Sequence, residues 1–280
     1  MEIQWPLVLF SLLAGTGGTM FAFAGLSEVL GGERRVRETA ALCATVLVVL
    51  GGCFSVLHLA SPLHAISAVT NLLSFSGISV ELMLLGVNFI VMVAYVVLSR
   101  REGSSTALRV LGVVGVVAGC ALAFFCGHGY VIAGQPTWNT NALPCAYLGT
   151  CIACGAFAYA LLAARAGAEN ELGGNLGAFV WVCAALGAAS AAVYALVLGE
   201  AALAHPVVLF AGVVLFGVAG VLVFGVAAWR VGKQRLLAVC GGGLVCACAG
   251  GITVRVLMWL CATGFINLFA HTVPSVMLNL

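Results

Sequence analysis

Hydrophobic positions along this chain fill long blocks, and the polar residues cluster in the gaps between them. A helix of about 20 apolar residues crosses a hydrocarbon core of roughly 30 Å. Blocks long enough to do so fall at 5–30, 38–60, 79–98, 107–132, 142–164, 175–198, 206–230 and 236–265. The ten-residue segments of alternating polarity that mark a membrane-spanning barrel do not occur, so each block predicts a helix that satisfies its own backbone. The expected fold class is all-α, a polytopic integral membrane bundle of eight transmembrane helices that makes one transmembrane domain of residues 1–280.

Composition sharpens this picture. Of 280 residues, 63% are hydrophobic and 7% charged, with a mean hydropathy of +1.20, against roughly 25% charged in soluble proteins. A water-soluble fold is excluded, and little sequence is left for a separate soluble domain. The net charge of +2 and the scattered basic residues give no electrostatic footprint for nucleic acid. Glu2 stands near the start and no Lys or Arg precedes Arg34, so despite the cleavage-like Ala22-Phe23-Ala24 the basic region of a secretory signal is missing. The first block is expected to be a permanent span.

The basic residues also predict a direction. Arg34, Arg35 and Arg37, then Arg100, Arg101 and Arg109, then Arg165, then Arg230, Lys233 and Arg235 all fall on one side. The positive-inside rule makes that side cytoplasmic, with both termini outside, in a multi-pass protein of the inner (cytoplasmic) membrane. Trp5, Trp138 and Trp259 fall near outer ends, and Trp181 and Trp229 near inner ends, as in an aromatic belt. Gly115 and Gly119 form a GxxxG spacing of the kind that lets helices approach closely. The longest connections, 61–78, 133–141 and the tail from 266, are outer, so a docking partner is expected on that face.

Candidate chemistry is sparse. All twelve cysteines fall inside predicted spans, and none builds the closely spaced four-cysteine run of an iron-sulfur site. Cys151 and Cys154 form CxxC, but on a membrane helix that spacing only puts two thiols on one face. His58, His64, His128, His205 and His271 all map to the outer third or outer surface. A haem needs two axial ligands, for which His58 with His128 is the pair on offer.

His58 closes span two just before Ser61-Pro62, a helix-ending pair. Glu81 opens span three at the same face. Arg255 lies nineteen residues beyond Leu236, about 28 Å along its helix, and so also toward the outside. Taken singly, the arginine snorkels, the glutamate is wet and the histidine caps a helix. Together they are a base of pKa near 6.5, a carboxylate and a fixed cation at one depth beside lipid. That set suits a quinol: the imidazole takes a hydroxyl proton, the carboxylate passes it to water, and the guanidinium holds the carboxylate ionised or orients a quinone oxygen.

The stretch Ser55-Val56-Leu57-His58-Leu59-Ala60-Ser61-Pro62 resembles the His-Leu-Gly-Ser-Pro segment of the DmsC family, the membrane anchor subunits of dimethyl sulfoxide reductases. Trp5-Pro6-Leu7, Pro136-Thr137-Trp138 and an arginine in a glycine-containing last span, here Arg255, extend the resemblance over essentially the whole chain. It implies a haem-free anchor that binds menaquinol near the outer face. Electrons would pass to an iron-sulfur subunit carrying [4Fe-4S] clusters and on to a molybdenum bis-pterin catalytic subunit, both outside. The family's quinol-site histidine corresponds to His58, its acidic residue to Glu81 and its arginine to Arg255; the glutamate usually found shortly before that arginine is glycine here, at Gly250 or Gly251. The alternatives are a small-molecule transporter, against which the lack of an internal repeat counts, and a haem-bearing quinol-oxidising subunit, which a Soret band would reveal.

Overall fold

The structure, a computed structural model, describes residues 2–57, 76–101, 105–168 and 171–262. Eight long helices form the bundle: α1 (Trp5–Leu30), α2 (Arg34–Leu57), α3 (Gly77–Arg100), α4 (Ser105–His128), α5 (Ala142–Ala166), α6 (Leu176–Leu198), α7 (Val207–Arg230) and α8 (Lys233–Leu260). A 3-10 turn, Glu171–Gly174, precedes α6, and a single α-turn, Glu200–Leu203, follows it. No strand occurs among the described residues.

The expected and observed helices agree to within five residues, and the differences have physical causes. α2 starts four residues before its apolar block because Arg34 and Glu38 pair at 2.7 Å across one turn, which carries the helix beyond the hydrocarbon. α4 stops at His128, short of the expected 132. The chain leaves it through turns closed by the N–H of Tyr130 to the Gly127 carbonyl and of Val131 to the His128 carbonyl. The last helix ends at Leu260, not 265; residues 263–265 lie outside the described set.

Successive helices run up and down. At one end the C-terminus of α1, the start of α2 and the ends of α3 and α5 are tied by polar side chains. Glu28 accepts from Arg37 at 2.8 Å and from Tyr95 at 2.7 Å. The fully buried Glu171 accepts from Ser27 at 2.8 Å, from Tyr159 at 2.6 Å and from the Glu33 amide at 2.7 Å. These contacts hold Leu172 in a left-handed conformation (φ 51°) that non-glycine residues adopt only when their surroundings compel it. The arginine clusters of the helix ends lie here, so this is the arginine-rich end.

α1 is the central helix, packed by α2, α4, α5 and α8. Against α4 the two backbones meet through glycines a heptad apart: a methyl group at Gly18 would stand 2.9 Å from the Gly119 carbonyl oxygen, and one at Gly112 3.0 Å from the Gly25 Cα. Gly115, the other half of the GxxxG, instead makes room for the Phe21 ring. Burying apolar side chains gives no hydrophobic gain when the alternative surroundings are lipid, so this close approach supplies the packing energy. Gly119→Ala is therefore expected to destabilise the bundle by about 1–3 kcal/mol, seen as a lowered thermal midpoint in detergent; an unchanged midpoint would show that the seam has slack.

The first part of α7, Val207–Gly220, is wound as a π-helix. In an α-helix residues five apart point roughly 140° apart. The wider winding turns both Gly212 and Gly217 to α8, where added methyl groups would meet Thr253 at 2.5 Å and the Gly250 Cα at 3.2 Å.

Candidate functional site

The arginine-poor end contains the one basic side chain set apart from the helix-end clusters. Arg255 of α8 has no exposed surface. Its side chain does not snorkel outward; it folds back one turn, where Nη1 donates to the Gly251 carbonyl at 2.9 Å and to Thr150 Oγ1 at 3.3 Å. Nε donates to Ser11 Oγ at 2.9 Å, and Nη2 to the Ser11 carbonyl at 3.5 Å and the Cys151 thiol at 3.2 Å. The cation stands 4.2 Å from the Tyr147 ring centroid, within cation–π range. All five guanidinium N–H groups thus have acceptors, and every one is neutral. Among the described residues no carboxylate pairs with this charge.

Gly251 is part of this cradle. A methyl group there would stand 3.5 Å from Nη1 and 2.8 Å from Leu12 Cδ1. Gly250, by contrast, presses on α7, where a methyl group would meet the Gly217 amide at 2.8 Å. Of the two glycines preceding the arginine, only position 251 could therefore present a side chain to it.

Tyr147 connects the cation to an aromatic cluster. Its hydroxyl donates to Met258 Sδ at 3.4 Å, and its ring lies 6.1 Å from Tyr130, which meets Trp138 at 5.7 Å and Trp259 at 5.9 Å. Trp138 and Trp259 meet edge to face at 5.1 Å. Both tryptophans lie at the expected end, yet at 5% and 4% exposure they are buried and do not form a lipid-facing belt. Trp138 donates to the Met258 carbonyl at 2.8 Å, Thr137 to the Cys261 carbonyl at 2.9 Å, and His205 Nε2 lies 3.1 Å from the Leu260 carbonyl. These carbonyls lie in the last turn of α8 and just past it, where a helix leaves its final carbonyls without partners of its own. The Pro136-Thr137-Trp138 loop is thus a C-terminal cap for the helix that carries Arg255.

Glu81 lies in the second turn of α3, after Ser76, whose hydroxyl accepts from the Ser79 amide at 3.3 Å. Its carboxyl rests over Gly129, just past the end of α4, where the absent side chain leaves room for it. It is half-buried and makes no hydrogen bond or ion pair among the described residues. Glu81 and Arg255 do not touch. Cys126, Tyr130 and Tyr147 lie within electrostatic reach of both.

His58 follows directly on Leu57, the last residue of α2, and lies outside the described residues, as do His64 and His271. His128 is exposed, stacked on Phe124 at 6.0 Å and edge-on to Phe125 at 5.5 Å. Cys151 of the CxxC touches Arg255, and Cys154 faces Cys248 with the sulfurs 4.0 Å apart. Among the described residues no three His, Cys or Glu side chains are grouped to hold a metal ion. The sequence does not reveal that Ser11, Tyr147 and Thr150 surround Arg255; the available signal is hydroxyl groups standing alone in otherwise apolar blocks. Nor does it reveal the Glu28 and Glu171 clasp, although carboxylates are rare enough here to attract notice.

A family model described as DMSO reductase anchor subunit (DmsC) matches residues 1–224, from α1 into α7. The chain belongs to the DmsC family. Comparison with curated proteins finds no match. As a DmsC-family anchor with eight helices long and apolar enough to cross a bilayer, it is a multi-pass membrane subunit of a DMSO reductase-type complex, alongside catalytic and electron-transfer subunits. α8 and Arg255 lie beyond the matched residues.

Proposed function

We propose that this anchor oxidises menaquinol for its complex, at the arginine-poor end, facing away from the cytoplasm. The quinol gives up two protons and two electrons. His58 accepts a hydroxyl proton, Glu81 relays it toward water, and Arg255 lends a fixed positive charge that favours the anionic species formed on the way. The electrons pass to a [4Fe-4S] cluster of the partner electron-transfer subunit and from there to a molybdenum bis-pterin catalytic subunit.

The observation that carries this reading is the Glu81 carboxyl, without a partner among the described residues, and the Arg255 cation, set around one aromatic cluster at the end where α2 hands over to His58. A buried charge in a membrane helix that faces the bundle interior marks a site. The indole N–H of Trp259 and the hydroxyl of Tyr194, both buried near that end, have no hydrogen-bond partner among the described residues and are available to a ligand oxygen.

The test uses the assembled complex. Solvent extraction is expected to yield a naphthoquinone. Glu81→Gln, which keeps the shape and removes the proton relay, is expected to lower quinol-driven reduction about tenfold or more, with reduction driven by a viologen dye unchanged. Equal loss with both donors would show that the substitution damages assembly and does not act on quinol.

A further inference from the structure

At the arginine-rich end, a cavity of about 230 Å³ opens between the first turns of α2 and the last turn of α5. Arg35, Thr39 and Arg165 supply its polar wall, and Val36, Leu162 and Ala166 its apolar wall. Two of the three arginines that open α2 have partners inside the protein: Arg34 pairs with Glu38 and Arg37 with Glu28. Arg35 points elsewhere. Neither it nor Arg165 makes an ion pair or hydrogen bond through its guanidinium among the described residues, and both are exposed.

We propose that this cavity binds the phosphodiester headgroup of an anionic phospholipid. Two guanidinium groups facing one space without a carboxylate repel each other until an anion enters, and each presents paired N–H donors that match phosphate oxygens. The amino-terminal end of α2 adds its positive dipole end to the same wall. The apolar wall favours a lipid over a free ion: Val36 is buried and Leu162 half-buried, and both belong to helices long and apolar enough to cross the membrane, so the acyl chains of a lipid held here lie at bilayer depth. Basic pockets between membrane helices at headgroup depth are recurrent sites of this kind. This inference is independent of the quinol reading, which concerns the opposite end.

The experiment is native mass spectrometry of the full chain, purified in mild detergent and titrated with phosphatidylglycerol or phosphatidylcholine. At least one phosphatidylglycerol is expected to be retained, with affinity at least tenfold above that for phosphatidylcholine. R35Q/R165Q is expected to lose this preference, and R35K/R165K to keep part of it. R109Q/R235Q, an equal charge change at exposed arginines of the same end, is expected to behave as wild type and so controls for bulk electrostatics. Equal retention of the two lipids, or wild-type retention by R35Q/R165Q, would overturn the proposal. So would displacement of the lipid by millimolar inorganic phosphate, which would assign the site to a free oxyanion.

Discussion

His58→Arg is expected to lower quinol-driven turnover of the assembled complex by about 10²-fold or more, with viologen-driven turnover and subunit stoichiometry unchanged. Arginine keeps a nitrogen-bearing side chain at the position that follows Leu57 but cannot accept a proton at any physiological pH, whereas imidazole titrates near neutrality. A positioned general base contributes about 10²–10⁴-fold, which sets the size of the loss. The dye delivers electrons to the partner subunits directly and so separates proton abstraction from assembly. Wild-type quinol turnover in this variant would remove the histidine from the mechanism.

The second large effect should dissociate function from stability. Arg255→Met is expected to lower quinol-driven turnover at least tenfold while leaving the thermal midpoint unchanged or raised. Replacing a whole buried ion pair by apolar side chains of similar volume is often neutral or stabilising by about 1–4 kcal/mol, and here, among the described residues, no counter-charge is left behind. The neighbours here permit that outcome: Ser11 still donates to the Val8 carbonyl at 3.3 Å, and Thr150 to the Ala146 carbonyl at 2.7 Å, so neither hydroxyl is stranded when the guanidinium goes. Through an effective dielectric of about 20, a unit charge at ~10–15 Å is worth about 1–2 kcal/mol, enough for a tenfold change in the rate of forming an anion. A variant with normal turnover would make the arginine purely structural, and one that fails to fold would show that its five hydrogen bonds outweigh the cost of burying it.

Most of the fold was legible because the bilayer imposes its own length on the sequence: each apolar block became a helix, and α1 matched from Trp5 to Leu30. Ends failed where polar residues extended a helix, as Arg34 and Glu38 do for α2, or where glycines released it, as around His128. Pairings between helices were illegible. A GxxxG announces a close approach but not its partner, and here Gly119 meets Gly18 while Gly115 admits Phe21. In the site, the end at which Glu81 and Arg255 stand could be read from helix direction and rise per residue. The direction of a long side chain could not: Arg255 turns inward to Ser11, Thr150 and Cys151, groups contributed by helices far away in sequence. Trp138 and Trp259 misled for a related reason, since a tryptophan at a helix end satisfies the same pattern whether it faces headgroups or caps a neighbouring helix.

The central position of α1 has a consequence for biogenesis. α1 has the least lipid-facing surface of the eight helices, yet the glycines it packs against, Gly112 and Gly119, are made 87 and 101 residues after their partners Gly25 and Gly18. Until α4 is inserted, the glycine-bearing side of α1 lacks its partner, and α1 has only α2 and the Tyr95 region of α3 to lie against. Newly made chains truncated before α4 should therefore crosslink to the insertion machinery through Gly18 and Gly25 positions, and full-length chains should have let go.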